Sequence, residues 1–446
     1  MKKILKITGI VVGVLVLLLF LAPFLFEKQL KGIVVNSIND KLNARVAFAD
    51  MDVSLLRNFP DATLSIDELL ITNNAPFEGD TLAVGQEVVL EMSVFELFNS
   101  AGEPMKVDAL AINNAGVYLK IDSLGNANYD IVKPSNTTAS DTSSGGGFQF
   151  DVEHYEINNS EVTYFDEGAD IGLIVSELDH EGTGDFSAAE STLNTFSSAL
   201  VSLVVDSTKY LDRNKVRLDA DFMMNLEEMK FTFLENEAMI NQLPLTFEGY
   251  VKVNEDNNEV DLAFRTPSSS FKNFLAVIPQ EYSKNIEEVN TSGDFIVQGT
   301  IKGIVDETFI PKFNIDINSE NASFKYPDLP KGVEDITIAA EVVNNTGLAE
   351  DTYIELEKLN FRIDQDVFRA EGSIRNLMGN PVVDMAINGT IDLTSIEKAY
   401  PLDLEQDLNG IVTANLRTSF DMNSIETEQY QNVNSSGTAT IRDFSY

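Results

Sequence analysis

Histidine occurs only twice in the 446 residues, at His154 and His180, and cysteine and tryptophan are absent. Disulfides, zinc–thiolate sites and a thiol nucleophile are thereby excluded together, and little imidazole remains for acid–base or metal chemistry. Asp151 and Glu153 lie near the first histidine, and Asp179 and Glu181 flank the second. Such neighbours could complete a metal pair, but solvent-facing strand positions give the same pattern, and both histidines are read as solvent-facing. Asp166, Glu167 and Asp170 could offer oxygen ligands to calcium, yet their spacing misses the EF-hand loop, and 71 acids produce such clusters by chance. Gly145-Gly146-Gly147 is followed by no lysine and sits in a low-complexity run, so it reads as a linker and not as a phosphate loop. HExxH, GxSxG and paired CxxC motifs are missing. The expectation is no enzyme, with no catalytic, cofactor-binding or metal residue and no cofactor.

Charge narrows the partners. Against 71 acids stand 31 Lys and Arg, a formal net charge of −40. Affinity for phosphates comes from cations that displace counterions, so nucleic acid is not expected as a partner. Anionic headgroups would repel such a surface as well, leaving only the N-terminal segment to sit on lipid.

That segment reads MKKILKITGIVVGVLVLLLFLAPFLF. Ile7 to Phe26 contain no charge, and 20 residues at about 1.5 Å each span about 30 Å, the hydrocarbon thickness of a bilayer. Lys2, Lys3 and Lys6 precede it, which places the N-terminus in the cytoplasm and the chain after Glu27 on the far side. A cleaved signal peptide is the competing reading. The apolar run is longer than a signal needs, and Pro23-Phe24-Leu25-Phe26 offers no small-residue cleavage site, so a retained anchor is favoured.

Next, Gln29 to Leu42 carries Leu30, Ile33, Val34, Ile38 and Leu42 at helical spacing, predicting a short amphipathic helix. Strands dominate from there. Val117, Leu119 and Ile121 alternate with polar residues, as do Phe313, Ile315 and Ile317, and Ile336, Ile338, Ala340 and Val342. A period of two gives each strand one apolar and one wet face, the pattern of antiparallel sheet. Ser-, Thr- and Gly-rich residues 133–148 read as a flexible insertion between an N-terminal β region, 27–132, and a longer one, 149–446. A weak repeat lies in the latter. Val260-Asp261-Leu262-Ala263-Phe264 echoes Val383-Asp384-Met385-Ala386-Ile387, each followed by a short helical stretch and a glycine, Gly293 or Gly410, opening a new strand. Phe271, Phe274, Leu275 and Ile278 predict a one-sided helix ending near Pro279, and Ile396 to Pro401 a shorter one. Gly437 to Tyr446 alternates like a strand with no capping element, from which the chain is expected to continue into further units.

Several stretches resemble the AsmA family. They are Val53-Ser54-Leu55-Leu56-Arg57-Asn58-Phe59-Pro60 with Leu64-Ser65-Ile66, then Leu69 to Asn73 with Phe77 and Gly79, and Ile121 to Tyr129 (IDSLGNANY). Leu275 to Pro279, Gly299 to Gly303 and Pro327 to Pro330 are similar to its Bacteroidetes-type members. The resemblance implies a Gram-negative periplasmic protein, single-pass in the inner membrane, related to TamB-like and bridge-like lipid transfer proteins. The fold it implies is mainly β, a transmembrane helix followed by an elongated, curved antiparallel β-sheet groove with a few short helices. The implied role is lipid transfer and outer-membrane biogenesis, with phospholipid or another amphiphile as cargo. Val260, Leu262, Phe264, Phe313, Ile315, Ile317, Val383, Met385 and Ile387 are the candidate groove-lining residues. The same residues would equally fill a closed sandwich core. A scaffold that assists outer-membrane protein assembly or targeting, with an outer-membrane or periplasmic protein partner and no lipid, is the rival reading, and an envelope hydrolase the third.

Overall fold

The computed structural model describes residues 42–445 apart from 59, 99–104, 132, 134–147, 169, 186–188, 206–207, 255–256, 268, 276–288, 307, 378 and 402–407. The expected anchor at 7–26, most of the helix at 29–42 and nearly all of the insertion at 133–148 lie outside the described residues. Among the described residues no helix is long and apolar enough to cross a membrane. The chain divides into two compact units, residues 1–219 and 220–446.

The first unit holds β1 (Ala44–Ala47), β2 (Asp50–Asn58), β3 (Asp61–Asn73), β4 (Thr81–Ser93), β5 (Met105–Ile121), β6 (Phe148–Asp166), β7 (Ile171–Thr183) and β8 (Glu190–Val205). The division falls inside β9 (Thr208–Asn225). β1 and β2 both pair with β3, and β3–β4, β4–β5, β6–β7 and β7–β8 are antiparallel neighbours. β5 and β6 run parallel, which a hairpin cannot produce, and β6 begins beside the start of β5, with Phe148 opposite Met105. At one end a packed cluster forms from Met51, Val53 and Leu55 of β2, Leu64 and Ile66 of β3, and Leu90 and Met92 of β4, with Val107 and Val152.

Left-handed residues interrupt these long strands: Asn114 on β5, Asn159 on β6, Glu177 on β7 and Arg213 on β9. The ladder register shifts around Asn159 and Glu177, as a β-bulge requires. A bulge strips a backbone N–H of its ladder partner, and side chains take over. The N–H of Ala115 donates to Ser160 Oγ, that of Asn159 to Asp179 Oδ1 and that of Arg213 to Ser202 Oγ.

The second unit holds β10 (Lys230–Ile240), β11 (Leu243–Val253), β12 (Asn258–Arg265), β13 (Ser269–Ser270), β14 (Asn290–Val305), β15 (Lys312–Lys325), β16 (Val333–Asn344), β17 (Tyr353–Ile363), β18 (Asp366–Arg375), β19 (Val382–Asp392), β20 (Asn409–Asp421) and β21 (Asn434–Ser445). Among the described residues the ladders from β10 to β21 are antiparallel and run in chain order, with the two-residue β13 pairing with β14 alongside β12. The mainly β, antiparallel expectation with a few short helices therefore holds.

Those helices are α1 (Phe271–Leu275), α2 (Leu393–Glu397) and α3 (Met422–Glu426). The first two stand where the repeat placed them, after β12 and β19 and before the strands that carry Gly293 and Gly410. A third copy follows β20. Asp392-Leu393-Thr394-Ser395-Ile396-Glu397 and Asp421-Met422-Asn423-Ser424-Ile425-Glu426 share D-x-x-S-I-E, in which the aspartate accepts from the N–H of Thr394 or Ser424 and caps the helix. Both serines are buried. Phe271 of α1, with Ala399 and Ile396 of the α2 segment, packs on Phe295, Ala322, Val333, Ile336 and Ile363, roofing one end of the sheet's apolar face.

Candidate functional site

Residues directly opposite each other on paired strands point to the same face of the sheet. In the second unit Phe247, Phe264, Gly299 and Ile315 are successive partners on β11, β12, β14 and β15. Val342, Ile354, Ile374, Val383 and Phe420 continue the line on β16 to β20. Nine strands thus contribute one uninterrupted apolar file, about 38 Å long at ~4.8 Å per strand. A flanking file runs through Val297, Ile317, Ala340, Leu356, Gly372 and Met385.

The same registers bring all nine candidate lining residues to one face. Leu262 faces Ile301, which faces Phe313, and Ile387 faces Ala370 beside Gly372. Each of the nine is half-buried, neither sealed in a core nor fully exposed. Ile317 alone among them packs against the roofed cluster. The aromatic end is denser: Phe222 lies 6.0 Å from Phe233, and Phe233 lies 5.6 Å from Phe247, centroid to centroid. Glycine makes room for the neighbouring Phe264 ring, since a Cβ on Gly299 would meet it at 2.9 Å. The reverse face is polar. Asn360, Arg369, Asn388, Asn415 and Thr438 form a cross-strand row there, lining a concavity of about 1170 Å³.

In the first unit one file runs Ile66, Val88, Ile112, Ile157, His180, Ser197 from β3 to β8. Its neighbour runs Leu64, Leu90, Leu110, Tyr155, Gly182, Thr195. Both start apolar and turn polar on β7 and β8. His180 bridges Tyr155 OH, 2.5 Å from its Nε2, and Ser197 Oγ, 2.7 Å from its Nδ1. Gly182 permits this, because a Cβ there would collide with the Tyr155 ring. Burial pushes the His180 pKa below the usual imidazole range, with Glu181 opposing, and pushes the Tyr155 phenol up.

His180 therefore departs from the solvent-facing reading. The two bulges at Asn159 and Glu177 reset which residues face inward, and the partners lie 25 and 17 residues away, so no local pattern announces the triplet. His154 does face solvent, with Nε2 2.9 Å from Glu156 Oε1. That hydrogen bond, more than anything else, holds the Glu156 carboxyl below its ordinary range. The acids Asp166, Glu167 and Asp170 do not converge: Glu167 pairs with Lys120 at 2.8 Å and accepts from Ser123, while Asp166 Oδ1 caps the Gly168 N–H. Among the described residues no group of His, Asp and Glu could hold a metal ion.

A mainly antiparallel β protein whose second unit carries a continuous apolar file on one face of its sheet is the class these observations define. The AsmA family model matches residues 1–181, so this part of the chain is similar to the AsmA family. No match was found among curated proteins or among solved structures.

Proposed function

We propose that the protein carries amphiphiles, phospholipid or a similar lipid, along the apolar face of its sheet, without covalent chemistry, as part of envelope biogenesis. The observation that carries this reading is the file from Phe247 to Phe420, apolar or glycine at every strand and half-buried throughout. An apolar face needs an apolar cover. Acyl chains supply one: at about 0.8 kcal/mol per CH₂, a sixteen-carbon chain loses on the order of 12 kcal/mol on entering water, and a continuous apolar track removes most of that barrier. A file of about 38 Å exceeds the ~15 Å depth of a single leaflet, so it is long enough to hold a chain while the headgroup moves along it. The AsmA family match over residues 1–181 supports the role. In this proposal residues 7–26 anchor the chain in an inner membrane, with the N-terminus cytoplasmic and the rest periplasmic.

The test places a photoreactive benzoylphenylalanine at Ile315 or Ile374 on the apolar face and at Asn314 or Ser373 on the reverse face of the full chain. Irradiation in cells, followed by mass spectrometry, is expected to give lipid adducts at the first pair only. Adducts at neither pair, with a protein cross-linked instead, would leave a tethered scaffold for outer-membrane assembly as the better account.

A further inference from the structure

We propose that Ser197, held by His180 and Tyr155, is a polar station on the apolar face of the first unit that donates a hydrogen bond to an acyl-ester oxygen of a carried lipid. This rests on the carrier reading above and deepens it.

Three side chains on three strands form one hydrogen-bonded chain, Tyr155 OH to His180 Nε2 and His180 Nδ1 to Ser197 Oγ. A neutral imidazole has one N–H and one lone-pair nitrogen, so its tautomer sets the direction of the whole chain. The phenol, with an ordinary pKa of about 10, is a far stronger acid than a serine hydroxyl, and the ring nitrogen is the best acceptor present. Tyr155 therefore donates to Nε2, Nδ1–H donates to Ser197 Oγ, and the Ser197 hydrogen is left to point outward. In this direction the imidazole does not draw the serine proton away, so Ser197 is a donor and not an activated nucleophile.

What it donates to follows from position and charge. Ser197 ends a file in which Ile66 is already buried in the packed cluster and Val88, Ile112 and Ile157 are half-buried, so a ligand that covers the remaining face is apolar along most of its length and polar at one point. The strands β6, β7 and β8 contain no lysine or arginine, while Glu156, Asp179 and Glu181 lie within them. None of these three strands offers a cation to a phosphate, and the next basic residues along the chain lie on β9, at Lys209, Arg213, Lys215 and Arg217. An uncharged acceptor next to acyl chains is the ester carbonyl of a glycerolipid, which a hydroxyl donor serves without a counter-charge.

The full-length protein is offered an equimolar mixture of dioleoyl phosphatidylcholine and its di-ether counterpart, which has the same headgroup and chain length but no carbonyls. Bound lipid is then measured by mass spectrometry. Wild type is expected to retain ester over ether by about three- to tenfold, the worth of one neutral hydrogen bond. Ser197→Ala should bring the ratio near one, and Ser197→Thr, which restores the hydroxyl, should recover it. Equal retention of both lipids by wild type, or an ester preference that survives in Ser197→Ala, overturns the station and leaves the carrier standing. Retention of neither lipid overturns the carrier reading and the station with it.

Discussion

His180 shows how a single titrating group on a half-buried face reports the state of the whole strand trio. Burial lowers its pKa from the ordinary 6.5, and Glu181 offsets only part of that. The unfolded chain therefore takes up the proton first as pH falls. The stability tied to the neutral ring is fully present above about 6.5 and is lost progressively as pH drops through that value toward the depressed folded pKa. Thermal unfolding followed from pH 7.5 to pH 5 should show a steeper loss for wild type than for His180→Gln. Parallel curves would mean that the ring is solvated and that its bonds to Tyr155 and Ser197 are not formed in solution. The residues themselves were plain in the sequence, but their company was not. Tyr155, His180 and Ser197 meet only once the registers of β6, β7 and β8 are known, and register depends on two bulges that no hydropathy pattern marks.

At the scale of elements the sequence was far more readable, because strand alternation and helix caps are local. Val260 to Phe264 and Val383 to Ile387 do form equivalent strands, each followed by a short helix. The third strand–helix–strand step, at α3, escaped although its signature repeats residue for residue: Asp, two variable positions, then Ser-Ile-Glu. The strand of this copy, β20, lacks the Val-Asp-x-Ala core of the other two, so only its cap carries the repeat. The caps differ in strength. Asp392 serves the Thr394 N–H, whereas Asp421 serves both the N–H and the hydroxyl of Ser424 and also accepts from Asn380 Nδ2. Removing a capping side chain costs about 1 kcal/mol, up to about 2 kcal/mol in well-buried cases. Urea unfolding should accordingly place Asp421→Ala below Asp392→Ala, and equal midpoints would show that the extra bonds contribute nothing. Gly372 sets a harder limit. Its φ of +148° is glycine's own region, and a Cβ would lie 2.0 Å from the carbonyl oxygen of Asp384. Gly372→Ala should cost at least the ~1–3 kcal/mol of a strained backbone and separate β18 from β19, visible as lost amide protection on both strands.

The whole molecule sets two large facts against each other, a formal charge of −40 and an apolar face crossing nine strands. Composition announced the first, and alternation announced that apolar faces exist. Whether they fuse into one track depended on register, and no shift in composition marks the division at residue 219, which falls inside β9. The track can be cut without unpairing strands. Ile354 and Ile374 are direct partners in the middle of the file, so Ile354→Lys with Ile374→Glu replaces an apolar pair by an opposite-charge pair, which sheets tolerate. An acyl chain crossing that point would have to strip water from two charges, a cost that grows steeply in an apolar setting. Lipid movement between donor and acceptor vesicles mediated by the full chain should fall several-fold while the strand signal in circular dichroism persists. The control is Glu355→Gln with Ser373→Ala, the neighbouring partners on the reverse face, where transfer should be unchanged. Transfer that ignores the charged pair would place the lipid route elsewhere than this face, because no chain can pass along the file without crossing β17 and β18.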